Sequence, residues 1–153
     1  MALQGTMKLG PWGGTGGSDW SYNPGSGSAL KEIVINHGRV VDSISFKSID
    51  ATGQTQFSDK FGGDGGTTDQ ITFDRPGEYL TLISGTINDW GGHEVIESLS
   101  FHTNRNKYGP YGSMDGSSFK IPMEGGEIVG FHGRGGYYVD AIGSVALRRL
   151  KGS

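Results

Sequence analysis

The chain has 153 residues, 29 of them glycine and none cysteine, with a formal net charge of −3. Without cysteine, disulfides and thiolate metal sites are excluded, and the slightly acidic balance argues against general nucleic-acid or anionic-membrane binding. Glycine at about 19% of the residues, against a usual ~7%, shows no collagen period and sits among hydrophobic segments, so it marks loops with unusual dihedrals rather than disorder.

The opening segment, MALQGTMKLGPW, lacks the apolar core of a secretory leader, and no apolar run approaches the ~20 residues of a membrane-spanning helix. There is no Asn-x-Ser/Thr sequon. The expectation is a cytoplasmic or nucleocytoplasmic protein without membrane insertion. Strand-like runs rich in β-branched and aromatic residues follow at 32–35, 40–46, 70–73, 79–87, 98–101, 128–133 and 137–147. Turn residues bound them: NHG, ATG, RPGE, NDWGG and MEGG. No stretch sustains helical periodicity between caps. The pattern predicts one all-β domain over residues 1–153, a sandwich, barrel or prism. The basic tail LRRLK (147–151) reads as a solvated strand end.

Two kinds of loop alternate, and each recurs. Glycine-rich loops stand at GPWGGTGG (10–17), FGGDGG (61–66) and, degenerately, GPYGSMDG (109–116). Between them come GRVVDSISF (38–46), GHEVIESLSF (92–101) and GYYVDAIGSVAL (136–147), each a glycine, three residues, a key position and an apolar strand. Counted from the glycine, the key positions are Asp42, Ile96 and Asp140. Spacings near fifty residues imply three similar β units about a pseudo-threefold axis.

Glycine accepts positive φ and lets a ligand approach closely, so a turn such as GRGGYY can aim successive backbone N–H groups at one point. One carboxylate four residues after the glycine adds a strong acceptor. That set suits neutral vicinal hydroxyls, which donate to the carboxylate and accept from the amides. A phosphate would be repelled, and a metal would want more carboxylates. The competing reading of the same residues is a tight turn whose Asp caps its own loop amides.

These motifs resemble the jacalin-related lectins, in their mannose-binding, uncleaved branch, over nearly the whole chain (about 9–150). The resemblance implies a β-prism I of three four-stranded antiparallel sheets with pseudo-threefold symmetry. It implies one sugar held by Gly17, Tyr137, Tyr138 and Asp140, and a second by Gly66, Arg39, Val40 and Asp42. Asp140 and Asp42 would accept, the backbone amides would donate, and Tyr138 would lend a ring face. Mannose/glucose-type sugars in high-mannose glycans are the implied ligands, bound without metal, cofactor or catalysis by a homodimer or higher oligomer. With Ile96 at the key position of the third unit, a third site of this type is not expected. The other expectation is a β-prism used for protein interaction or oligomerisation, with incidental sugar binding.

Other patterns carry less. HEVIE (93–97) has Glu97 where a zinc-protease helix would have its second histidine, and its context is strand-like. FGGDGGTTD has Thr67 where a calcium β-roll needs aspartate. Asp42 and Asp140 fall in different units, which makes them equivalent acceptors rather than a glycosidase pair. Packing is the expected role of Trp12, Trp20 and Trp90.

Overall fold

The computed structural model describes residues 6–25, 27–122 and 126–148. Most of the MEGG turn and the end of the basic tail lie outside the described residues, as does the proposed domain's edge at residue 150.

The strands are, in chain order, β1 (Thr6–Gly13), β2 (Ser18–Tyr22), β3 (Ala29–His37), β4 (Val41–Ile49), β5 (Thr55–Phe57), β6 (Phe61–Gly62), β7 (Thr67–Thr72), β8 (Leu80–Trp90), β9 (His93–Thr103), β10 (Lys107–Gly112), β11 (Ser117–Pro122), β12 (Gly126–Gly135) and β13 (Val139–Arg148). They form three antiparallel sheets. Two have four strands in the orders β1-β13-β12-β2 and β10-β9-β8-β11. The other runs β5-β4-β3-β7 and is the second sheet in the order of the repeat units, after β1-β13-β12-β2 (the first) and before β10-β9-β8-β11 (the third); its outer strand is broken, so that the two-residue β6 also pairs with β4. Apart from that break, this is the expected prism of three four-stranded sheets.

Each sheet is a central hairpin (β12–β13, β3–β4 or β8–β9) flanked by outer strands. The hairpins are the runs that sequence periodicity revealed. The outer strands were mostly hidden, for two physical reasons. Strands β2 and β11 bury only alternate residues, Trp20 and Tyr22 in one and Phe119 and Ile121 in the other. Strands β1 and β10 carry a register shift at their Gly-Pro steps, which breaks the period of two.

The inner faces of the sheets share one core. Ile33, Ile35, Ile44, Ile83, Leu99, Phe101, Phe131 and Ile142 are fully buried. Phe46 stacks on Phe131 with ring centroids 4.2 Å apart, and Trp20 on Phe61 at 4.5 Å. Each such side chain contributes roughly 1.5–3 kcal/mol of burial, and the core holds the hairpin ends in register. Trp12 stacks on Phe119 at 6.4 Å. Trp12 and Trp20 therefore pack, as expected.

Where each hairpin turns into its second strand, one residue is left without a partner in the ladder. Arg134 and Gly135 pair with Ala141 and Val139, skipping Asp140. Asn36 and His37 pair with Ser43 and Val41, skipping Asp42. Thr86 and Ile87 pair with Ser98 and Ile96, skipping Glu97. Such a bulge re-aims the extra side chain. The third key position is therefore Glu97, which corrects the sequence assignment of Ile96. Ile96 is a fully buried core residue, in the place that Val139 and Val41 occupy in the other sheets. Counting from Gly92 misplaced it by one, because the third loop holds one more residue.

Candidate sugar-binding site

Each carboxylate residue is fastened to the glycine loop of its own sheet. Gly13, Gly62 and Gly112 have φ of +127°, +115° and +108°. A Cβ there would overlap the carbonyl oxygen of Asp140, Asp42 or Glu97 respectively, so only glycine fits. In two sheets the next residue ties the contact down. Gly14 N–H donates to the Asp140 carbonyl and Gly63 N–H to the Asp42 carbonyl, both at 2.8 Å.

The side chains then rise beneath glycines. A Cβ at Gly16 would lie 2.7 Å from Asp140 Oδ2. At Gly65 and Gly66 it would lie 2.8 and 2.7 Å from the two Asp42 carboxylate oxygens. The missing side chains leave each carboxylate reachable although the residues are only 7% (Asp140) and 9% (Asp42) exposed. Among the described residues no side chain or amide hydrogen-bonds to either carboxylate. Burial pushes both up from the ordinary aspartate value. The charges of His93 and Arg134 partly oppose this at Asp140, and that of His37 at Asp42.

The turns before the two aspartates are alike. Gly136 N–H donates to the Tyr138 carbonyl and Gly38 N–H to the Val40 carbonyl, each at 3.0 Å. Tyr137 and Tyr138 thus stand at the tip of one turn, Arg39 and Val40 at the tip of the other. Gly17, Tyr137, Tyr138 and Asp140 all line one cleft of about 810 Å³. The structure brings the first predicted set together.

The second set is divided. Gly66 lies over Asp42, but Arg39 and Val40 line a separate cavity of about 330 Å³ together with Trp90, Glu97, Ser113 and Asp115. Beside Asp42 and Gly66 instead stands His37, whose Nε2 meets Asp69 Oδ2 at 2.6 Å.

Sequence reasoning missed several residues. Arg134 clamps the first glycine loop, its Nε donating to the carbonyls of Thr15 (3.2 Å) and Gly16 (3.0 Å) and its Nη2 to Gly17 (2.8 Å). Its Nη1 reaches Asp19 Oδ1 at 2.6 Å. This was the lone cation of GRGGYY, and its three carbonyl partners were the signal's counterpart across the chain. The other missed groups come from neighbouring sheets. Asp64 and the pair Trp90 and His93 wall the Asp140 cleft from either side. Trp90 meets Tyr138 edge-on, at 6.5 Å and 88°. It therefore lines the cleft in addition to packing.

Glu97 shows the alternative use of the same position. Its Oε1 accepts from Thr86 Oγ1 and from the Gly116 amide, each at 2.8 Å, and its Oε2 from Asn88 Nδ2 at 2.9 Å. Burial would raise this carboxyl, but the bonds from Asn88, Gly116 and Thr86 outweigh it and hold the group below the usual range. Unit three is the self-capped turn; units one and two are not.

Known proteins resemble this chain over nearly its whole length. The family model for the jacalin-like lectin domain matches residues 9–145. A mannose/glucose-specific lectin of Parkia pendula is 44% identical over 150 residues, covering 97% of this chain and 33% of that protein. The chain thus spans a third of that lectin, and 45% of an agglutinin from Castanea crenata to which it is 46% identical over 90% of its own length. Among solved structures, wild-type Malaysian banana lectin superposes with a TM-score of 0.86 at 36% identity, covering 95% of this chain and all (100%) of that one. A mannose-specific jacalin-related lectin from Morus nigra, in complex with mannose, superposes with a TM-score of 0.84 at 38% identity, covering 95% of this chain and 97% of that one. The chain belongs to the jacalin-like lectin family.

Proposed function

We propose that this chain binds mannose/glucose-type sugars, as units of mannose-containing oligosaccharides, without metal and without catalysis. Two sites carry this: Gly17, Tyr137, Tyr138 and Asp140 in one cleft, and Asp42 beneath Gly66, with the Arg39–Val40 turn tip, which lines the neighbouring cavity, supplying the amides of the second. The observation that supports it is the contrast among the three bulges. A buried carboxylate is costly unless something hydrogen-bonds to it. Glu97 meets that need internally, whereas Asp42 and Asp140 face glycine loops with no donor of their own. Sugar hydroxyls are donors of the right kind, and the turn-tip amides are the complementary donors to sugar oxygens.

Tyr138 and Trp90 add an aromatic wall for the apolar face of the ring. Among the described residues no group of three or more His, Cys, Asp or Glu is placed to hold a metal. Weak single sites gain from multivalency, so we also propose that a homodimer or higher oligomer delivers avidity for branched glycans. Relatives named mannose/glucose-specific and mannose-specific support the choice of sugar.

Competition calorimetry with mannose, glucose and galactose, repeated after exhaustive EDTA treatment, tests this reading. Mannose and glucose should compete, galactose should fail, and chelation should change nothing. Loss of binding that calcium restores, or competition by galactose on a par with mannose, would overturn it.

A further inference from the structure

The Asp140 cleft is completed by a loop that belongs to the other site. Gly63 lies in the glycine loop of the second sheet, three residues before Gly66 and beside Asp42, whose carbonyl its amide holds at 2.8 Å. The opposite side of Gly63 abuts the first sheet: a Cβ there would overlap the Tyr137 carbonyl oxygen and lie 2.8 Å from its carbon and 3.2 Å from its Cα. Backbone therefore rests directly on backbone. Tyr137 itself is 88% exposed. Within its own loop, the Gly136-to-Tyr138 turn bond braces the backbone on either side of Tyr137.

The relation repeats around the axis. A Cβ at Gly14, of the first glycine loop, would overlap the Glu94 carbonyl of the third sheet's turn. Ser113, of the third glycine loop, donates its amide to the Arg39 carbonyl of the second sheet's turn at 3.2 Å. Tyr137, Arg39 and Glu94 each stand three residues before a bulge carboxylate. Each acceptor turn thus leans on the next sheet's glycine loop, and the three contacts close a ring.

We propose that Gly63 is a positioning residue for the Asp140 site, and that the two sugar sites are coupled through the path Asp42 carbonyl, Gly63, Tyr137. This rests on the sugar-site reading above. Ordering of the Tyr137–Tyr138 turn by a sugar at Asp140 stabilises Gly63 against it, and with Gly63 the hydrogen bond to Asp42. The reverse holds by linkage, since a coupling free energy is reciprocal.

The test uses the Asp42→Ala protein, in which only the Asp140 site titrates. If that protein binds no mannose while folded, the sugar reading fails and not the coupling. Adding Gly63→Ala should weaken mannose at least roughly tenfold, the scale of a displaced backbone contact at a binding turn. Gly116→Ala is the control, because its Cβ would overlap the Ile87 carbonyl, a clash within the third sheet; affinity there should stay unchanged. Equal effects of the two substitutions would overturn the proposal. A second measurement needs no change at Gly63. In the Asp42→Ala protein, mannose should slow hydrogen exchange at the Gly63 amide, which is hydrogen-bonded to the residue 42 carbonyl, but not at the Gly116 amide. Unchanged Gly63 protection at saturating mannose would contradict the coupling even if Gly63→Ala failed to fold.

Discussion

The backbone amide of Gly116 donates to Glu97 Oε1 at 2.8 Å, whereas among the described residues neither the Asp42 nor the Asp140 carboxylate receives a bond. With Thr86 and Asn88 also bound to it, this carboxylate is satisfied inside the fold.

Glu97→Gln should therefore leave mannose stoichiometry unchanged. It should lower stability by about 1–3 kcal/mol, the usual consequence of leaving buried donors mismatched. Denaturant unfolding and calorimetry on the same sample check both halves. A lost mannose site would show that the third bulge is not self-capped.

Acid should weaken binding early. An acceptor is lost when Asp140 or Asp42 is protonated, and burial lifts both above the ordinary 3.8. In a pH series, mannose affinity should begin to fall while exposed aspartates are still ionised. A midpoint at or below the ordinary value would contradict the placement of these carboxylates.

The same shift has a consequence for stability. A raised folded-state pKa contributes stability that is complete below the unfolded value and is lost as pH rises through the folded one. At neutral pH the ionised form therefore destabilises the fold. Asp140→Asn should melt no lower than the parent, and higher if its amide finds a partner, while losing mannose at its site. A large fall in the melting temperature would mean that the carboxylate holds the turn together.

Much of this was legible in the sequence, and the misses share a cause. A glycine four residues before a lone aspartate exposed Asp42 and Asp140, because a carboxylate that breaks an apolar strand is visible without coordinates. The third unit misled because Gly92 lies one residue too early. His93 takes the place of Gly136 and Gly38 when the turns are matched by their bulges, and only strand pairing shows that. Asp64, Trp90 and His93 could not be read at all, since what brings them to Asp140 is the closure of three sheets around one axis. The separation of Arg39 and Val40 from the Asp42–Gly66 pair is of the same kind: local spacing gave the turn, not which cavity its tip faces.

Opposing pH behaviour is expected from Glu78. Burial would raise its carboxyl, but the Asp74 amide and the side chains of Asn106, Thr103 and Tyr108 hold it at about 2, against 4.5 for an ordinary glutamate. Its contribution is present above the unfolded value and lost as pH falls toward the folded one. By linkage this amounts to about 3 kcal/mol. Glu78→Gln should remove much of that at neutral pH and flatten the acid limb of the stability curve, without touching mannose affinity. An unaltered acid limb would refute the assignment.

The most direct test of the two-site account is mannose titration calorimetry on the parent, Asp42→Ala, Asp140→Ala and the double variant, with folding checked for each. A charge-assisted hydrogen bond is worth roughly 1.5–3 kcal/mol, and a millimolar ligand has only about 4 kcal/mol in all, so losing one acceptor should silence its site. Each single variant should keep half of the parent's sites, and the double variant should bind nothing. A folded Asp140→Ala protein with the parent's full count and affinity would contradict the two-site account.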